Sequence, residues 1–377
     1  MITFFIPHLY VGGAERVTVS LIKGLVARGE PVDLVLINRG TGAFEKEIPK
    51  ECRIIDLDAR RALTALPSLV RYLKDERPEV LITAGTHVSI AALIARLLSR
   101  SKIPVIVTEH TIFSLAFPFA ERRFTSKLLP FLMRRLYPTA TYIVGVSQGV
   151  VEDLRKILGM GPEKFRVIYN AIVDEALLRK AEEPFAHPFF REGEPPVILA
   201  VGRLHVSKDY PTLLRAFALI RRKVHARLLI LGDGEKRKEL EELARTLSIS
   251  EDLSMPGFVD NPYPYIAHAA VLVLSSRWEA LSTVLVEALA LGTPIVSTDC
   301  PTGPREILKQ GEFGLLVPPQ DPESLARAIL SVLQDNNLRR ILRDKGRRRA
   351  QDFSVDKAVE EYMRLIAQCK SAIAYGE

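Results

Sequence analysis

The stretch VLVLSSRWEALSTVLVEALALGTPIVS, residues 271–297, has the clearest structural pattern in the sequence. It opens on the aliphatic run Val271–Leu274, whose length and composition are typical of a buried strand. A helix-length segment follows and ends at Gly292, with Pro294 just beyond it, and these residue types are ordinary signals for the end of a helix. A second strand-like run, Ile295–Ser297, begins at once. The strand–helix–strand order predicts a parallel α/β layer.

The same alternation extends over the whole chain, and its 377 residues are enough for two domains. In the first half the strand-like runs are Ile2–Ile6, Val32–Ile37, Val80–Thr83, Val105–Thr108 and Tyr142–Val146. Helical segments separate them, for example Ala14–Arg28, Leu63–Lys74 and Val88–Ser99. In the second half the strand-like runs are Val197–Val201, Leu228–Leu231, Leu253–Met255, Val271–Leu274, Ile295–Ser297 and Gly314–Val317.

The two halves are separated by Glu182–Pro196, which is rich in proline and charge and therefore has linker composition. We predict an N-terminal α/β domain over residues 1–180 and a C-terminal one over residues 181–357. Ligands of parallel sheets bind at the carboxyl ends of the strands. We therefore expect the ligand of this protein in a cleft between the two domains.

The composition excludes several classes of protein. With 47% hydrophobic and 26% charged residues it is that of an ordinary globular chain, which argues against disorder. The longest apolar runs are strand-length and far short of a membrane span, and the N-terminal MITFFI predicts a first strand rather than a signal peptide. Three scattered cysteines, Cys52, Cys300 and Cys369, form neither a metal-binding spacing nor a disulfide framework. These features favour the cytoplasm and predict no metal site.

Basic charge is concentrated in two places, within a formal net charge of +7. Over Phe113–Leu136 basic and bulky apolar residues interleave, as they do on helices that lie in a membrane interface. We predict peripheral contact with the inner face of an anionic membrane, with an amphipathic helix packed on the sheet as the alternative. The run Arg339–Arg349 is interpreted as a solvated helix face. No nucleic-acid-binding module is recognisable, so no nucleic-acid partner is expected.

Two glutamates flank the start of the helix in the opening stretch. Glu279 precedes that start and Glu287 lies about one turn inside it, while Ser282 or Thr283 is the natural N-cap. Free amides at a helix start bind anions such as a diphosphate. The two carboxylates can then accept hydrogen bonds from hydroxyl groups of a sugar or a ribose. In the alternative interpretation one glutamate is a surface charge and the other interacts with the helix dipole.

Two cations flank the loop that follows the strand Val197–Val201. Arg203 and Lys208 lie between this strand and a predicted helix. Cations at the carboxyl end of a strand can neutralise a leaving diphosphate, which is the main electrostatic demand when a glycosidic bond to phosphate breaks. The alternative is a pair of solvated loop cations.

The N-terminal half offers weaker candidates. Gly12 and Gly13 precede the first helix, where a small residue lets the backbone approach a phosphate or a sugar. Their spacing lacks the dinucleotide fingerprint, and a tight turn is the alternative. His110 follows the strand Val105–Thr108, and imidazole can form a hydrogen bond with a sugar or acceptor hydroxyl. The alternative is a histidine without a catalytic part.

Taken together, these residues resemble the retaining glycosyltransferases of family 4, which have the GT-B fold of two Rossmann-like domains facing a central cleft. The most specific part is the E-x7-E element formed by Glu279 and Glu287, and the resemblance covers nearly the whole chain. The other matching positions are Gly12–Glu15, His110, Ser147, Asn170, Gly202–Arg203, Lys208, Gly232–Gly234, Gly257–Asp260 and Asp299–Ile307. The last of these is similar to members that build bacterial surface polysaccharides.

The resemblance implies an N-terminal acceptor-binding domain and a C-terminal donor-binding domain, with the helix near Ala358–Ala372 crossing back onto the first. The catalytic residues it implies are Glu279, Arg203, Lys208 and His110. The substrate-binding residues it implies are Gly12, Gly13, Gly202, Gly257, Phe258, Val259, Ala280, Leu281, Ser282, Thr283 and Glu287. In this scheme the two cations bind the donor diphosphate, the first glutamate contacts the transferred sugar and the second contacts the ribose. Residues 257–259 line the nucleobase pocket.

The implied reaction moves a hexose or N-acetylhexosamine from a nucleoside-diphosphate sugar, most commonly a UDP-sugar, to a hydroxyl of a glycan or lipid-linked acceptor. It retains the anomeric configuration and uses neither a cofactor nor a protein nucleophile, because the leaving diphosphate helps to deprotonate the acceptor. The residue after the first glutamate is commonly glycine in the family and is Ala280 here, which is strained if the position needs positive φ. Two rival interpretations remain open: a non-hydrolysing nucleotide-sugar epimerase, and a non-catalytic sugar-nucleotide-binding protein of the same fold.

Overall fold

The structure is a computed structural model that describes residues 1–10, 12–40, 42, 44–116 and 123–374, with the backbone alone for residues 123–127 and 372–374. It divides into two compact units. The first comprises Met1–Ala171 together with the segment from Val355 onward, and the second comprises Ile172–Ser354. The stretch with linker composition, Glu182–Pro196, therefore lies inside the second unit.

The first unit is built on a seven-stranded sheet in the order β3-β2-β1-β4-β5-β6-β7, and every neighbouring pair is parallel. Its strands are β1 Ile2–Ile6, β2 Val32–Leu36, β3 Arg53–Asp56, β4 Val80–Ala84, β5 Val105–Glu109, β6 Tyr142–Gly145 and β7 Phe165–Val167. Its helices are α1 Gly13–Val26, α2 Leu66–Asp75, α3 Thr86–Ser99, α4 Phe113–Ala116, α5 Arg123–Leu136, α6 Gln148–Leu158 and, from the C-terminal segment, α15 Val355–Ala374.

Helix α15 packs into the core of the first unit. Val359 and Ile366 are buried in the same apolar cluster as Ile22 of α1 and the central strands. The two helices approach closely at Gly24, where an added Cβ would lie 2.6 Å from a methyl carbon of Val359. Tyr362 of α15 also shares a hydrogen bond of 3.1 Å with the hydroxyl of Thr108. Burial of this apolar face fixes the helix on the sheet.

The second unit is built on a six-stranded parallel sheet in the order β10-β9-β8-β11-β12-β13. Its strands are β8 Val197–Val201, β9 Arg227–Leu231, β10 Leu253–Gly257, β11 Val271–Leu274, β12 Ile295–Thr298 and β13 Leu315–Val317. Its helices are α7 Glu175–Ala181, α8 Tyr210–Arg221, α9 Arg237–Thr246, α10 Tyr263–His268, α11 Thr283–Leu291, α12 Pro304–Ile307, α13 Pro322–Gln334 and α14 Asn336–Ala350.

Strand order places a topological switch point in the second sheet between β8 and β11. The chain proceeds from β8 outward through β9 and β10, then returns to β11 on the other side of β8. Ligands of open parallel sheets bind outside the strand carboxyl ends at such a point. The loops that follow β8 and β11 are therefore the expected place for a ligand, and both contain predicted site residues.

The sequence patterns missed two strands, β3 and β7. Strand β3 has the sequence RIID, which exposes both of its charged ends and lies at the sheet edge. Its arginine is held by Asp33 of β2, with 2.6 Å between guanidinium and carboxylate. Strand β7 has only three residues. A strand at the edge of a sheet pairs with only one neighbouring strand and is more exposed, so it needs less apolar patterning than a central strand.

The interpretation of Arg339–Arg349 as a solvated helix face is wrong for part of the run. Arg349 is buried, and its guanidinium donates to the carbonyl oxygen of Ile307 at 2.9 Å. It also forms an ion pair of 2.5 Å with Asp352 and lies 4.8 Å from the ring centre of Phe353. This arginine is therefore part of the packing of α14, because its long side chain can satisfy several buried acceptors at once.

The predicted membrane-contact segment, Phe113–Leu136, lies partly outside the described residues, since residues 117–122 and the side chains of 123–127 are not described. In the described part of α5, Leu128 and Phe131 are exposed, whereas Met133 is buried. None of the helices in the described part of the chain has the length and apolar character needed to cross a membrane. Contact with a membrane surface stays a prediction.

Candidate functional site

The carboxyl end of β8 and that of β11 bring Lys208 and Glu279 together. The ammonium of Lys208 lies 2.5 Å from Oε1 of Glu279, and both side chains are mostly buried. The hydroxyl of Ser276 donates to the same carboxylate oxygen at 2.6 Å. The interpretation of Lys208 as a solvated loop cation, and of Glu279 as a surface charge, is therefore wrong.

The backbone around Lys208 is held by the loop after β11. The hydroxyl of Ser275 donates to the carbonyl oxygen of Lys208 at 2.7 Å, and the amide of Arg277 donates to that of Ser207 at 2.7 Å. Asp209 follows in a left-handed conformation, with φ of 46°, and its buried carboxylate accepts from the guanidinium of Arg277 at 3.2 Å. These bonds fix one loop on the other, so the position of the lysine is determined by both strands.

Arg203 lies at the same strand edge but has a different partner. Its exposed guanidinium is 3.2 Å from the carboxylate of Glu235, which follows β9. Exposed pairs of this kind contribute little to stability and rearrange readily. The arginine is therefore available to an incoming anion, while the neighbouring lysine is already committed to Glu279.

Gly202 allows this edge to be compact. Its φ is 152°, and an added Cβ would lie 3.2 Å from both Cε of Lys208 and the hydroxyl oxygen of Tyr210. The tyrosine hydroxyl donates to the carbonyl oxygen of Gly202 at 3.0 Å. Gly257 ends β10 at the adjacent position, followed by the exposed Phe258 and the half-buried Val259. The structure thus places these three predicted residues on the same sheet edge as Lys208.

Helix α11 starts beside the lysine–glutamate pair. Ser282 is its N-cap residue and is buried, but its hydroxyl has no hydrogen-bond partner among the described residues. Thr283 is the first helical residue, and Leu281 is buried before it. A buried hydroxyl without a partner and the free backbone amides at a helix start can all donate hydrogen bonds to a bound anion.

Glu287 is buried one turn into α11. The hydroxyl of Tyr263, at the start of α10, lies 3.4 Å from its carboxylate. Ala280 is not among the residues with positive φ, so the strain that the sequence suggested at this position is absent. The carboxylate of Glu279 and that of Glu287 are thus both presented at the beginning of one helix, as the E-x7-E spacing predicts.

Several residues without a predicted role also shape this edge. The hydroxyl of Thr302 donates to the carbonyl oxygen of Glu279, and Thr302 itself has a φ of 68°. At the next position, Gly303, an added Cβ would lie 3.1 Å from Cβ of Glu279. Ser276 was also missed. Residues 302 and 303 lie in the segment Asp299–Ile307 of the family resemblance, and the strand order brings this segment, which follows β12, beside the loop after β11.

In the first unit, His110 and Asn170 lie at the carboxyl ends of β5 and β7. Nδ1 of the histidine and Oδ1 of the asparagine are both buried, and the asparagine side chain interacts with the imidazole. Burial lowers the pKa of His110 to about 4, against the opposing effect of the Asn170 side chain. The imidazole is therefore neutral near pH 7 and can form hydrogen bonds without carrying charge.

Gly12 and Gly13 lie at the start of α1 in the same unit. Gly12 is the N-cap residue in an extended conformation, and Gly13 has nothing within 4 Å of an added Cβ. A Cβ on Gly12 would meet the carboxylate of Glu15, so space for a ligand is open only at Gly13, and the geometry also fits a plain helix entry. The assignment of these two glycines to substrate binding stays a prediction.

Two glycosyltransferase family models match this chain, one in each half. The model of the family described as "Glycosyl transferases group 1" matches residues 182–349, and that of "Glycosyltransferase Family 4" matches residues 11–176. Over 376 residues the chain is 32% identical to the Campylobacter jejuni N-acetylgalactosamine-N,N'-diacetylbacillosaminyl-diphospho-undecaprenol 4-alpha-N-acetylgalactosaminyltransferase, covering 96% of this chain and 98% of that protein. The chain belongs to glycosyltransferase family 4.

Further relatives of this glycosyltransferase come from other bacteria. It is 31% identical to the lipopolysaccharide core biosynthesis glycosyltransferase LpsE of Rhizobium meliloti, covering 94% of this chain and 96% of that protein. Among solved structures, Anabaena HepE in complex with UDP superposes with a TM-score of 0.78 at 20% identity, over 97% of this chain and 99% of that one. These similarities confirm the predicted GT-B fold with two parallel-sheet, Rossmann-like domains.

The first domain of the glycosyltransferase also contains a buried carboxyl group, Glu109, that the sequence did not single out. It accepts hydrogen bonds from the hydroxyl of Tyr137 and, at 2.9 Å, from that of Thr86. Burial raises its pKa to about 7, against the opposing effect of these two donors. The group links β5 to the start of α3 and to the turn after α5.

We expect Glu109 to make the first domain less stable at alkaline pH. Its pKa is about 4.5 when unfolded and about 7 when folded, so the stability it contributes is complete below pH 4.5 and is lost as the pH rises through 7. Between pH 5.5 and 8.5 the free energy of unfolding should fall by about 2 kcal/mol from this group alone. Urea unfolding followed by circular dichroism measures the fall, and Glu109→Gln should remove it.

Glu51→Gln serves as the control, because this substitution removes a carboxyl charge from an exposed position and leaves the buried groups unchanged. It should keep the pH dependence of the wild type. A Glu109→Gln variant whose stability still falls by the same amount would show that the buried carboxyl does not titrate in this range.

The described residues contain no group of three or more metal-ligating side chains of histidine, cysteine, aspartate or glutamate. All three cysteines are buried, and burial raises the thiol pKa of Cys52 and of Cys300 to about 12. Thiolates are the reactive and metal-binding form, so these cysteines are poor nucleophiles.

Proposed function

We propose that this glycosyltransferase transfers a hexose or N-acetylhexosamine from a UDP-sugar to a hydroxyl of a glycan or lipid-linked acceptor, with retention at the anomeric carbon. The observation that carries the proposal is the constellation at the switch point of the second sheet. Lys208 and Glu279 are joined there at 2.5 Å, next to the unpartnered hydroxyl of Ser282 at the start of α11.

The donor diphosphate fits the positive side of this constellation. The amides at the start of α11, with the hydroxyl of Ser282, would hold the distal phosphate. Lys208 is beside them, and Arg203 would exchange Glu235 for a phosphate, since its pair with that glutamate is exposed. Charge that develops on the leaving diphosphate would then meet two cations and a helix start.

The sugar and the ribose fit the two carboxylates. Glu279 is held by Lys208 and Ser276, so its side chain is already oriented before a donor arrives. We assign it to hydroxyl groups of the transferred sugar and assign Glu287 to the ribose. Gly257, Phe258 and Val259 end the neighbouring strand and would line the base, where the exposed phenylalanine offers a surface for stacking.

We assign His110 and Gly13 of the first domain to hydroxyl groups of the substrates, as the family resemblance implies. The neutral imidazole of His110 can donate or accept a hydrogen bond there. No protein nucleophile is assigned, because the leaving diphosphate can accept the proton of the acceptor hydroxyl. Exclusion of water during this step would suppress hydrolysis of the donor.

Two relatives suggest the chemical class of the acceptor. The Campylobacter enzyme acts on a diphospho-undecaprenol-linked glycan, and the Rhizobium enzyme acts in lipopolysaccharide core biosynthesis. We infer an acceptor of the same kind, a growing surface glycan on a lipid carrier, which would bring the protein to the inner face of the cytoplasmic membrane.

We expect UDP to raise the melting temperature of the protein more than GDP or ADP. A ligand that binds only the folded state stabilises it by about 2.7 kcal/mol at one hundred times its dissociation constant, which shifts the melting temperature by roughly 5 °C or more. The fluorescence of Trp278, the sole tryptophan of the chain, reports melting of the second domain beside the site.

Arg203→Ala should reduce the UDP shift, and NAD and NADP should give none. Stabilisation by the nicotinamide nucleotides alone would contradict the proposal. Conversion of a UDP-sugar to its epimer without any acceptor would favour the epimerase interpretation instead.

A further inference from the structure

A cavity opens at the amino ends of the strands of the second sheet, on the side away from their carboxyl ends. Its volume is about 570 Å³, and its floor is formed by residues that precede β8 and β11, including Pro196 and Ala270. The amino ends of these two strands lie there, whereas Lys208 and Glu279 follow their carboxyl ends. A cavity of this size suits a small organic ligand.

Four arginines line the cavity, namely Arg191, Arg339, Arg340 and Arg343. Arg340 donates to the neutral amide oxygen of Asn337 at 3.0 Å, and Arg339 donates to that of Asn336. The one acidic residue of the lining, Glu194, is already paired with Arg227 at 3.1 Å. Guanidinium charge in the lining is therefore not balanced by lining carboxylates.

One wall of the cavity is formed by residues 189–191 and 194–196, and aromatic contacts pack this segment against α10. Phe185 packs against Phe190 and Tyr265, with ring centres 5.1 and 4.8 Å apart, and the guanidinium of Arg227 lies 5.0 Å from the ring centre of Phe189. These contacts fix the segment 185–196, which has no regular structure beyond a short 3-10 turn. A wall that is fixed before binding lowers the entropy that binding must overcome.

We propose that this cavity is a second binding site, separate from the donor site, for a small molecule that carries a diphosphate group. Guanidinium groups match phosphoryl oxygens in bidentate geometry, and four arginines line this cavity. The volume admits a diphosphate with or without a nucleoside, and it is too small for a folded nucleic acid. Both free diphosphate and a nucleoside diphosphate present the same group to the arginines.

One lining arginine connects the cavity to the helix of the proposed donor site. Nε of Arg343 donates to the carbonyl oxygen of Gly292 at 3.3 Å, and Gly292 ends α11. A substitution of Arg343 would therefore change the end of that helix as well as the cavity. Arg339 and Arg340 are the better positions for a test, because their hydrogen bonds stay within the first turn of α14.

The test is a calorimetric titration of the full-length protein with inorganic diphosphate. The double variant Arg339→Gln with Arg340→Gln should bind it at least about tenfold more weakly at this site, since two charge-assisted contacts are lost. The control is Arg222→Gln with Lys223→Gln, which removes the same charge from exposed positions at the end of α8, outside the lining. It should bind within about twofold of the wild type. Melting temperatures of both variants establish that they fold.

Arg203→Ala separates the cavity from the donor site and should keep the binding that the cavity variant loses. In that background, UDP and diphosphate are compared by the binding that Arg339→Gln with Arg340→Gln removes, because Arg203→Ala weakens the donor site without abolishing it. Tighter binding of UDP than of diphosphate indicates a nucleoside-borne group, and equal binding indicates free diphosphate. The proposal is overturned if diphosphate does not bind, if Arg203→Ala abolishes all binding, or if the cavity variant binds as tightly as the wild type.

Discussion

Glu279→Gln is expected to lower kcat by roughly 10²- to 10³-fold while the protein stays folded. The carboxylate holds Lys208 at 2.5 Å and accepts from Ser276, and it is assigned to the hydroxyl groups of the transferred sugar. Glutamine keeps the size and one oxygen but removes the charge that positions the lysine. The sugar and the diphosphate would then both lose their fixed partner.

The measurement is the steady-state rate of transfer from a UDP-sugar to a lipid-linked acceptor, with the melting temperature taken on the same sample. Glu323→Gln provides the matched control, because Glu323 lies in α13 and is exposed in a loose pair with Arg327 at 3.8 Å. It should have wild-type activity. Full activity of Glu279→Gln would contradict the site assignment, whereas unfolding would leave only Arg203→Ala as its test.

A double-mutant cycle makes this result more specific. If Lys208→Met and Glu279→Gln act on one ion pair, the double variant should be little worse than the poorer single variant, because neighbours in one network are not additive. Arg203→Ala should instead combine with Glu279→Gln more nearly additively, since Arg203 pairs with Glu235 in this structure. A fully additive Lys208–Glu279 cycle would mean that the two residues act separately.

The sequence predicts the strands of the second domain, and with them the loops that carry the candidate site residues. The loops after β8 and β11 each carry charged residues next to a helix start, and parallel strands share one carboxyl edge, so convergence of the loops was foreseeable. The ion pair itself was not, because it depends on β8 and β11 being neighbours across more than seventy residues, and only the strand order shows this.

Buried polar groups mark the limit of prediction from sequence. Glu109 ends β5 as an ordinary polar residue in the pattern, yet tertiary packing removes it from water and raises its pKa to about 7. Arg349 belongs to a basic run but is buried against Ile307. Periodicity reports which face of an element is apolar, and it does not report what another element places against the polar face.

Gly232→Ala is expected to destabilise the second domain by about 4 kcal/mol, from left-handed strain together with overpacking. Gly232 has a φ of 139°, and an added Cβ would lie 2.2 Å from the carbonyl oxygen of Gly202 and 2.8 Å from its carbonyl carbon. Both are backbone atoms that cannot rotate away. Relief therefore requires the loop that carries Arg203 and Lys208 to move.

That movement would break the bonds that tie the strand ends together. The amide of Gly202 donates to Leu231 at 2.9 Å, and the amide of Gly232 donates to Gly257 at 2.8 Å, so β8, β9 and β10 are linked in series. Denaturant unfolding followed by the fluorescence of Trp278 measures the loss in this domain. The variant should also lose its stabilisation by UDP, because the displaced loop supplies the cations of the proposed donor site.

Gly311→Ala separates the steric effect from the backbone effect in the same domain. Gly311 has a φ of 100°, but nothing lies within 4 Å of an added Cβ, so this variant should lose only about 1 kcal/mol. The large difference between the two glycines would come from the close approach of Gly232 to Gly202. Equal losses would show that the strand ends can separate without cost, and the loop that presents Lys208 to Glu279 would then be less rigid than its hydrogen bonds imply.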